Sequence, residues 1–490
     1  VRAHHSFEAF QIFKGDVSDD NTKISNVKWG KNITNSTDFL EKLTADSTIG
    51  GEFNNPTTPQ DVLAVISKWH DSDNNSIAFA RFVCHYLYSG AVDPGTSIPS
   101  SGDVVEIPIN EAGYYLIVDT TDFRPGDSYH AYNSFLLNVT KAPFNLLIKP
   151  KFVKPTVEKK VYDNQDGTSN TEGFDSSADH AINEKFQFQL IAKLPAGRDE
   201  GRAYDYYKKY TVCFNDTLSE GITFDKLDTV EITNGDGGAS QVIDAANYTR
   251  TPNGSQFFKL SIDDVKTCAP GLNLNDGATI TVTYTAHLNE NAAVNGSAEN
   301  KNSVRLQYSN NPRPDGEYLG YTPNYTPESE VYVYTYQLNN TKYHDTAEKG
   351  NELKDVGFRL YSDADYENEV ELYQDGEFYY PIKNASNKQA VEMKSAEDGT
   401  FNVKGLDAGT YYLKETNPPA DYNPCDVPPV IIKANHKGNQ VDLNGSTLST
   451  TIINNKAGGI TLPSTGGIGT TIFYVVGGGL MVAAIVLLVT

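Results

Sequence analysis

Cysteine, methionine and tryptophan are scarce in this chain of 490 residues, which contains four, two and two of them. No two cysteines form a CxxC pair, and this absence argues against a redox motif or a zinc site. The nine histidines show no HExxH or paired ligand spacing, His4-His5 is a lone pair, and no hydrolase triad is evident. We therefore predict no metal, no cofactor and no enzymatic activity. Cys213 and Cys268 fall in one predicted domain, where they either pair or remain free thiols.

The chain also has fewer basic residues than acidic ones. Lysine and arginine number 40 against 63 aspartates and glutamates, so the net charge is −23. That much negative charge argues against a phosphate-binding surface, and nucleic acid is therefore not a predicted partner. It also favours solubility in an open, aqueous setting.

Long amphipathic patterns are few, whereas tyrosine occurs 30 times. Tyr, Thr, Val and Ile recur in short alternating runs, which are typical of β-strands. Two helices are predicted near the start of the chain. One begins with Thr58 as the N-cap and Pro59 at the first helical position, and the other covers residues 76–88. The predicted fold is therefore mainly β, with helices added to the first domain.

Changes in composition and pattern divide the chain into four segments, at residues 1–152, 153–325, 326–458 and 459–490. The stretch 310–328 is rich in Pro, Asn, Gly and Tyr and is typical of a linker. The third segment is predicted to open with a strand over residues 329–338. Two or three β-sandwiches in series would form an elongated rod.

The last segment combines a short motif with an apolar run. Residues 472–490 carry no charge over 19 positions, close to the length that spans a bilayer as a helix. No basic residues follow Thr490, so we expect truncation there, and the absence of a leader before Val1 suggests processing. The motif before the apolar run is Leu462-Pro463-Ser464-Thr465-Gly466.

This arrangement resembles the LPxTG cell-wall sorting signal of Gram-positive surface proteins. Pro463 favours an extended kink that a groove can grip, and Gly466 lets an enzyme approach the Thr465 carbonyl. The resemblance implies that a sortase thiolate attacks Thr465, releases Gly466 onward and passes the chain to an amine. The membrane is then a partner only before sorting. The alternative is an ordinary single-pass anchor with a chance motif.

A second resemblance covers nearly the whole chain. Residues 411–422, Tyr411-Tyr-Leu-Lys-Glu415-Thr-Asn-Pro-Pro-Ala-Asp-Tyr422, resemble the E-box YxLxETxAPxGY of sortase-assembled pilus backbone subunits, departing at Pro418 and Asp421. Residues 405–411 and 356–361 resemble collagen-adhesin B-type sandwiches. The resemblance implies tandem immunoglobulin-like β-sandwiches with internal Lys–Asn isopeptide bonds, each beside an acid.

That chemistry restricts where the residues can lie. A lysine amine is nucleophilic only when neutral, and burial lowers its pKa, while burial also keeps the acid protonated. In the third segment Glu415 alternates with Tyr411 and Leu413, which indicates one inward face. We predict a bond between Lys342 and Asn454 with Glu415 as the acid. Asn455 is the alternative acceptor, and a solvated Lys342 is the alternative interpretation.

In the second segment Lys159 alternates with Val157 and Val161, which points its side chain inward. The resemblance implies a bond between Lys159 and Asn302, with Asp216 as the acid in a motif similar to the family's DtLxxG. A polar turn at Asp216, with surface lysine and asparagine, is the competing interpretation. The first segment offers no comparable trio.

Backbone pilins also carry a polymerising lysine near the end of the first domain, in a motif resembling YPK. Here Leu146-Leu-Ile148-Lys149-Pro150-Lys151 matches it in part and indicates Lys151, with Lys149, Lys154 and Lys141 as alternatives. The resemblance implies that Lys151 accepts Thr465 of the next copy, building a head-to-tail fibre. Minor pilins and peptidoglycan are the other implied partners, at the cell wall and surface. The alternative function is a monomeric wall-anchored adhesin.

Overall fold

A computed structural model of the chain describes residues 6–70, 73–89, 96–99, 105–119, 134–148, 155–164, 172–194, 209–235, 237–252, 256–272, 274, 277–309 and 324–457. Across these ranges the fold is mainly β, as predicted, and it comprises several β-sandwich domains. The sorting motif and the apolar run at 472–490 lie outside the described residues. Within the described ranges, no helix combines the length and apolar character needed to cross a membrane.

The first domain places three helices against a sheet. Its helices are α1 (Ser36–Ala45), α2 (Pro59–Ile66) and α3 (Asn74–Ser89). Its strands are β1 (Ser6–Val17), β2 (Ile24–Trp29), β3 (Thr96–Pro99), β4 (Val105–Ile109), β5 (Gly113–Asp119), β6 (Ser134–Val139) and β7 (Phe144–Ile148). The main sheet has the order β2-β1-β5-β6 with β3 beside β1, and β4 pairs with β7.

The helix predicted at Thr58 is confirmed, since Thr58 and Asp61 form a reciprocal capping box and Pro59 begins the helix. Helix α1 was not predicted from the sequence. Only Phe39 and Leu43 are buried on it, so its ten residues give a weak periodic signal. The side chain of Asn35 caps it by accepting a hydrogen bond from the backbone nitrogen of Asp38.

The middle domain is a sandwich of two sheets. Its strands are β8 (Thr156–Asp163), β9 (Gly173–Asp175), β10 (Ser177–Asp179), β11 (Lys185–Lys193), β12 (Val212–Leu218), β13 (Ile222–Asn234), β14 (Ser240–Val242), β15 (Tyr248–Pro252), β16 (Phe257–Ile262), β17 (Ala278–Leu288), β18 (Lys301–Tyr308), β19 (Asn324–Tyr325) and β20 (Ser329–Tyr334). One sheet has the order β14-β13-β17-β11-β8-β9. The facing sheet has the order β10-β20-β18-β12-β16-β15, with β19 beside β18.

The third domain is a smaller sandwich. Its strands are β21 (Tyr336–His344), β22 (Gly357–Tyr361), β23 (Leu372–Asp375), β24 (Phe378–Pro381), β25 (Met393–Lys394), β26 (Asn402–Leu406), β27 (Gly409–Asn417), β28 (Val430–Ile432), β29 (Asn435–Lys437), β30 (Gln440–Asp442) and β31 (Ser449–Asn454). The sheets have the orders β23-β24-β26-β21-β31 and β25-β22-β27-β28, and β29 pairs with β30.

The strand predicted over residues 329–338 is two strands that belong to different domains. β20 pairs with β18 and β10, so it completes the middle sandwich instead of opening the third domain. β21 begins at Tyr336 and pairs with β26 and β31. Only Thr335 separates the two, and this residue is fully buried. A continuous alternating pattern concealed this boundary, because both strands have the same period.

The middle and third domains also pack directly against each other. Tyr373, Tyr380 and Ile382 of the third domain belong to the apolar core of the middle domain. The Asn183 side chain donates a hydrogen bond of 2.9 Å to the carbonyl oxygen of Pro381. With Thr335 as the connection, these contacts hold the two sandwiches in one arrangement.

Candidate functional site

Two buried lysines lie in the cores of the middle and third domains. In β8 the burial alternates, so that Lys159 lies inward and Lys160 only partly inward. In β21 the same two-residue period buries Leu338, Asn340 and Lys342. Charged lysines are almost never fully buried unless they are paired. The surroundings of each amine therefore indicate what it does.

The amine of Lys159 contacts two polar groups from neighbouring strands. Its Nζ atom lies 2.5 Å from Oδ2 of Asp216 on β12 and 3.1 Å from the hydroxyl of Tyr284 on β17. That hydroxyl in turn donates to Oδ2 of Asp216 at 3.1 Å. The side chains of Lys159 and Asp216 have no solvent exposure. The two sheets of the sandwich therefore enclose a compact amine–acid–phenol cluster.

Asn302 completes this cluster through the phenol. It lies on β18, and its Nδ2 atom donates a 2.6 Å hydrogen bond to the hydroxyl of Tyr284. Oδ1 of Asn302 and Oδ1 of Asp216 are buried, and neither receives a hydrogen bond from the described residues. Unmet buried acceptors are unusual in proteins, and a catalytic role is one of the explanations for them. The structure thus brings Lys159, Asp216 and Asn302 together around a residue that the sequence analysis missed.

Burial sets the protonation states in the middle cluster. It lowers the pKa of the Lys159 amine to about 8, because an ammonium ion loses hydration there, and the nearby Asp216 only partly offsets this. Burial likewise raises the pKa of the Asp216 carboxyl. The pKa of Tyr284 is raised well above its ordinary value by burial and by the Asp216 charge. Both shifts of the pair favour the neutral amine and the neutral acid.

The third domain contains a second buried cluster of a lysine, an asparagine and an acid. Nζ of Lys342 contacts Oδ1 of Asn454 and lies 3.2 Å from Oε1 of Glu415. Nδ2 of Asn454 donates to that same Glu415 oxygen at 2.8 Å. The Lys342 and Glu415 side chains are 0% and 2% exposed. Asn455, the alternative acceptor, is exposed because it follows Asn454 by one residue on a strand of period two.

Cys425 is a further neighbour that no sequence motif indicated. Its Sγ atom lies 3.4 Å from Nζ of Lys342, and its backbone nitrogen donates to Oε2 of Glu415 at 3.2 Å. Burial raises the pKa of its thiol. The backbone contact orients the carboxylate, because it occupies the oxygen that faces away from the amine and Asn454.

Cys213 and Cys268 are free thiols. Cys213 and Cys268 are buried, and the structure does not join them by a disulfide. Burial raises the pKa of both thiols to about 11. Each Sγ atom points towards a backbone carbonyl, that of Phe214 or that of Val265. The sequence left open whether these two cysteines pair or remain free, and in the structure they are unpaired.

The remaining predicted site residues fall outside the described ranges. These are the sorting motif from Leu462 to Gly466 and the lysine candidates Lys149, Lys151 and Lys154. Of the lysine candidates, Lys141 is described, and it is exposed on the connection between β6 and β7. Strand β7 ends at Ile148, three positions before Lys151.

The family model of the SpaA, prealbumin-like fold domain matches residues 339–447, most of the third domain. The T6 backbone pilin of serotype M6 Streptococcus pyogenes, which has a modular three-domain structure, is 14% identical with a TM-score of 0.50. The alignment covers 94% of this chain and 97% of that one. The chain has the fold of a Gram-positive backbone pilin.

Two further solved structures are similar at lower TM-scores. The full-length major pilin SpaD from Corynebacterium diphtheriae is 18% identical with a TM-score of 0.44, over 93% of this chain and 90% of SpaD. The pilus 2b backbone protein of group B streptococcus is 21% identical with a TM-score of 0.42, over 61% and 98% of the two chains. A comparison with curated proteins gives no match. The matched pilins are structural subunits and not enzymes.

Proposed function

We propose that this chain is the backbone subunit of a covalently polymerised pilus on a Gram-positive cell surface. The observation that carries the proposal is the pair of buried Lys–Asn–acid clusters within a pilin fold. Lys342 lies on β21, the first strand of the third domain, and Asn454 ends β31, its last strand. A covalent bond between these two residues would join the first strand of the third domain to its last. A pulling force would then pass through that bond, and the domain would not unfold under tension.

The chemistry of the third-domain cluster requires no outside reagent. Glu415 accepts a proton from Nζ of Lys342, and the neutral amine attacks Cγ of Asn454. The new Nζ–Cγ bond forms while the Cγ–Nδ2 bond breaks. Glu415 returns the proton to Nδ2, which leaves as ammonia, and its carboxylate takes up the second proton that Nζ loses as the amide forms. One Glu415 oxygen lies 3.2 Å from the attacking nitrogen and 2.8 Å from the leaving nitrogen, which supports this transfer.

The middle-domain cluster supports the same exchange with one extra group. Asp216 accepts the proton of Lys159, whose amine then attacks Cγ of Asn302. The leaving Nδ2 atom lies 2.6 Å from the Tyr284 hydroxyl, which is itself hydrogen-bonded to Asp216. Tyr284 therefore passes a proton from Asp216 to the departing nitrogen, and the Asp216 carboxylate takes up the second proton that Nζ loses as the amide forms. The products are one new amide bond and one ammonia molecule.

Polymerisation itself would use residues at the two ends of this reinforced unit. A sortase thiolate breaks the amide bond between Thr465 and Gly466 and forms a thioester with Thr465. The amine of Lys151 in another copy attacks this thioester, forms an amide and releases the thiol. Transfer to an amine of peptidoglycan ends assembly, and minor pilins join the same fibre. Because each contact is head-to-tail and does not close, it generates a filament.

The test is a denaturing gel of wall extracts from cells that contain the matching sortase. The wild-type chain should give a ladder that resists boiling, and Lys151→Ala should remove the ladder without removing the monomer. Lys141→Ala is the matched control, because Lys141 is an exposed lysine of the same region. A single wild-type band would contradict the proposal and support a monomeric wall-anchored adhesin.

A further inference from the structure

A third buried polar cluster lies at the junction between the middle and third domains, away from both lysines. Asp163 ends β8 and Asp179 ends β10, both in the middle domain, while His436 lies on β29 of the third. All three residues are buried. One donor atom from each lies within 4.8 Å of the others. The lysine chemistry proposed above makes no use of this cluster.

The distances in this cluster are not those of hydrogen bonds. Nε2 of His436 lies 3.4 Å from Oδ1 of Asp179 and 3.5 Å from Oδ2 of Asp163. An ordinary histidine–aspartate pair in the same chain, His287 with Asp225, has a separation of 2.8 Å. Two ligands about 2.0–2.2 Å from a tetrahedral zinc ion lie about 3.3–3.5 Å apart. The two histidine–carboxylate separations therefore match the edges of a metal's ligand tetrahedron.

Each of these three side chains is oriented by a contact to its other polar atom. Nδ1 of His436 lies 3.0 Å from the hydroxyl oxygen of Ser177, which fixes the ring so that Nε2 faces the carboxylates. Tyr336 donates a 2.8 Å hydrogen bond to Oδ2 of Asp179. The backbone nitrogen of Asp179 contacts Oδ1 of Asp163 at 3.3 Å. Second contacts of this kind orient the ligands of metal sites.

The buried carboxyl groups of the cluster also favour a bound cation. Two carboxyl groups lie buried beside an imidazole in this cluster, and buried charged groups in proteins are paired or coordinate metals. Oδ1 of Asp179 is buried, and no described residue donates a hydrogen bond to it. A divalent cation would neutralise both carboxylates and accept the lone pair of Nε2.

We propose that Asp163, Asp179 and His436 bind one divalent transition-metal cation of the zinc class. One nitrogen and two carboxylate oxygens are a suitable ligand set for zinc, with a fourth position for water. Because two ligands come from the middle domain and one from the third, the bound ion would fasten the junction. This inference does not depend on polymerisation or on the isopeptide bonds.

The test uses the full chain, freed of metal by a chelator and titrated with zinc chloride. Native mass spectrometry and calorimetry should find one zinc ion per chain. His436→Gln should abolish that stoichiometric binding, and His287→Gln should retain it. All proteins carry His4→Gln and His5→Gln, because adjacent histidines offer a competing pair of imidazoles. Equal binding by the His436→Gln and His287→Gln proteins, or no binding by either, would overturn the proposal.

Two further measurements keep the result independent of any folding defect. Tyr336→Phe removes only the hydroxyl that orients Asp179, and it should weaken zinc binding about tenfold to a hundredfold. The X-ray absorption spectrum of the zinc-loaded chain should show nitrogen and oxygen ligands with a single imidazole. Sulfur in the shell, or more than one imidazole, would place the zinc elsewhere and refute this site.

Discussion

The hydroxyl of Tyr284 accepts a hydrogen bond of 2.6 Å from Nδ2 of Asn302, the nitrogen that would leave as ammonia. The same hydroxyl reaches Asp216 at 3.1 Å. We therefore expect Tyr284→Phe to slow bond formation in the middle domain by about a hundredfold, because the proton path to the leaving nitrogen is lost. The fraction of unbonded chain, followed over time by intact mass, measures this rate. Tyr248→Phe, in the periphery of the same core, should change nothing.

Intact mass should also count the bonds. The measured mass of the wild-type chain should be lower than the mass calculated from its sequence by two ammonia molecules, one for each cluster. Lys159→Ala and Lys342→Ala should each restore one of them, and Glu415→Ala should act like Lys342→Ala because it removes the proton carrier. A wild-type mass equal to that of the sequence would show that neither bond forms. Lys160→Ala, one position from Lys159 and with a partly exposed side chain, is the control.

The rate of the middle-domain reaction should depend on pH. Burial lowers the pKa of the Lys159 amine to about 8, so its reactive neutral fraction grows as the pH rises towards that value. Chain isolated unfolded and then refolded should gain the bond about tenfold faster at pH 7 than at pH 6. The mass of quenched samples follows the reaction. A rate that falls between these two pH values would contradict a neutral amine as nucleophile.

The thiols of Cys213 and Cys268 should not react with alkylating reagents in the folded chain. Cys213 and Cys268 are buried and free, and burial raises the pKa of each thiol to about 11. At pH 8 we expect no labelling of either by iodoacetamide within minutes, since the thiolate is the reactive form. In denaturant without reductant, both should be labelled at once. Two thiols that stay unlabelled under those conditions would reveal a disulfide and contradict the structure.

The contact between the domains should contribute measurably to stability. Tyr373 is buried in the core of the middle domain, and its hydroxyl donates a 2.6 Å hydrogen bond to Oε1 of Glu290. Tyr373→Ala should destabilise the junction by about 3 kcal/mol, because a large buried ring is removed. Tyr373→Phe should cost only about 1 kcal/mol, because it keeps the ring and loses the hydrogen bond. Calorimetry should rank the two in that order, and equal effects would contradict ring packing as the main contribution.

Particular residues show how much of the site the alternating sequence pattern predicts. The two-residue period of β8 and β21 placed Lys159 and Lys342 inward, and both are buried. The same period distinguished Asn454 from Asn455. It could not separate β20 from β21, because two alternating strands in succession look like one. Tyr284 lies in the inward phase of β17 with Val282 and Ala286, yet nothing in that pattern indicates that its hydroxyl meets Asn302.

By itself, then, the sequence determined which side chains face inward, because alternation is a local property of a strand. It also determined the chemistry those residues can perform, since that follows from their functional groups and from burial. Tertiary structure alone decided which distant strands meet. It set Tyr284 beside Asn302, Cys425 beside Lys342, and His436 between Asp163 and Asp179. Such contacts join residues far apart in the chain, so they depend on sheet order and domain packing, which no local pattern encodes.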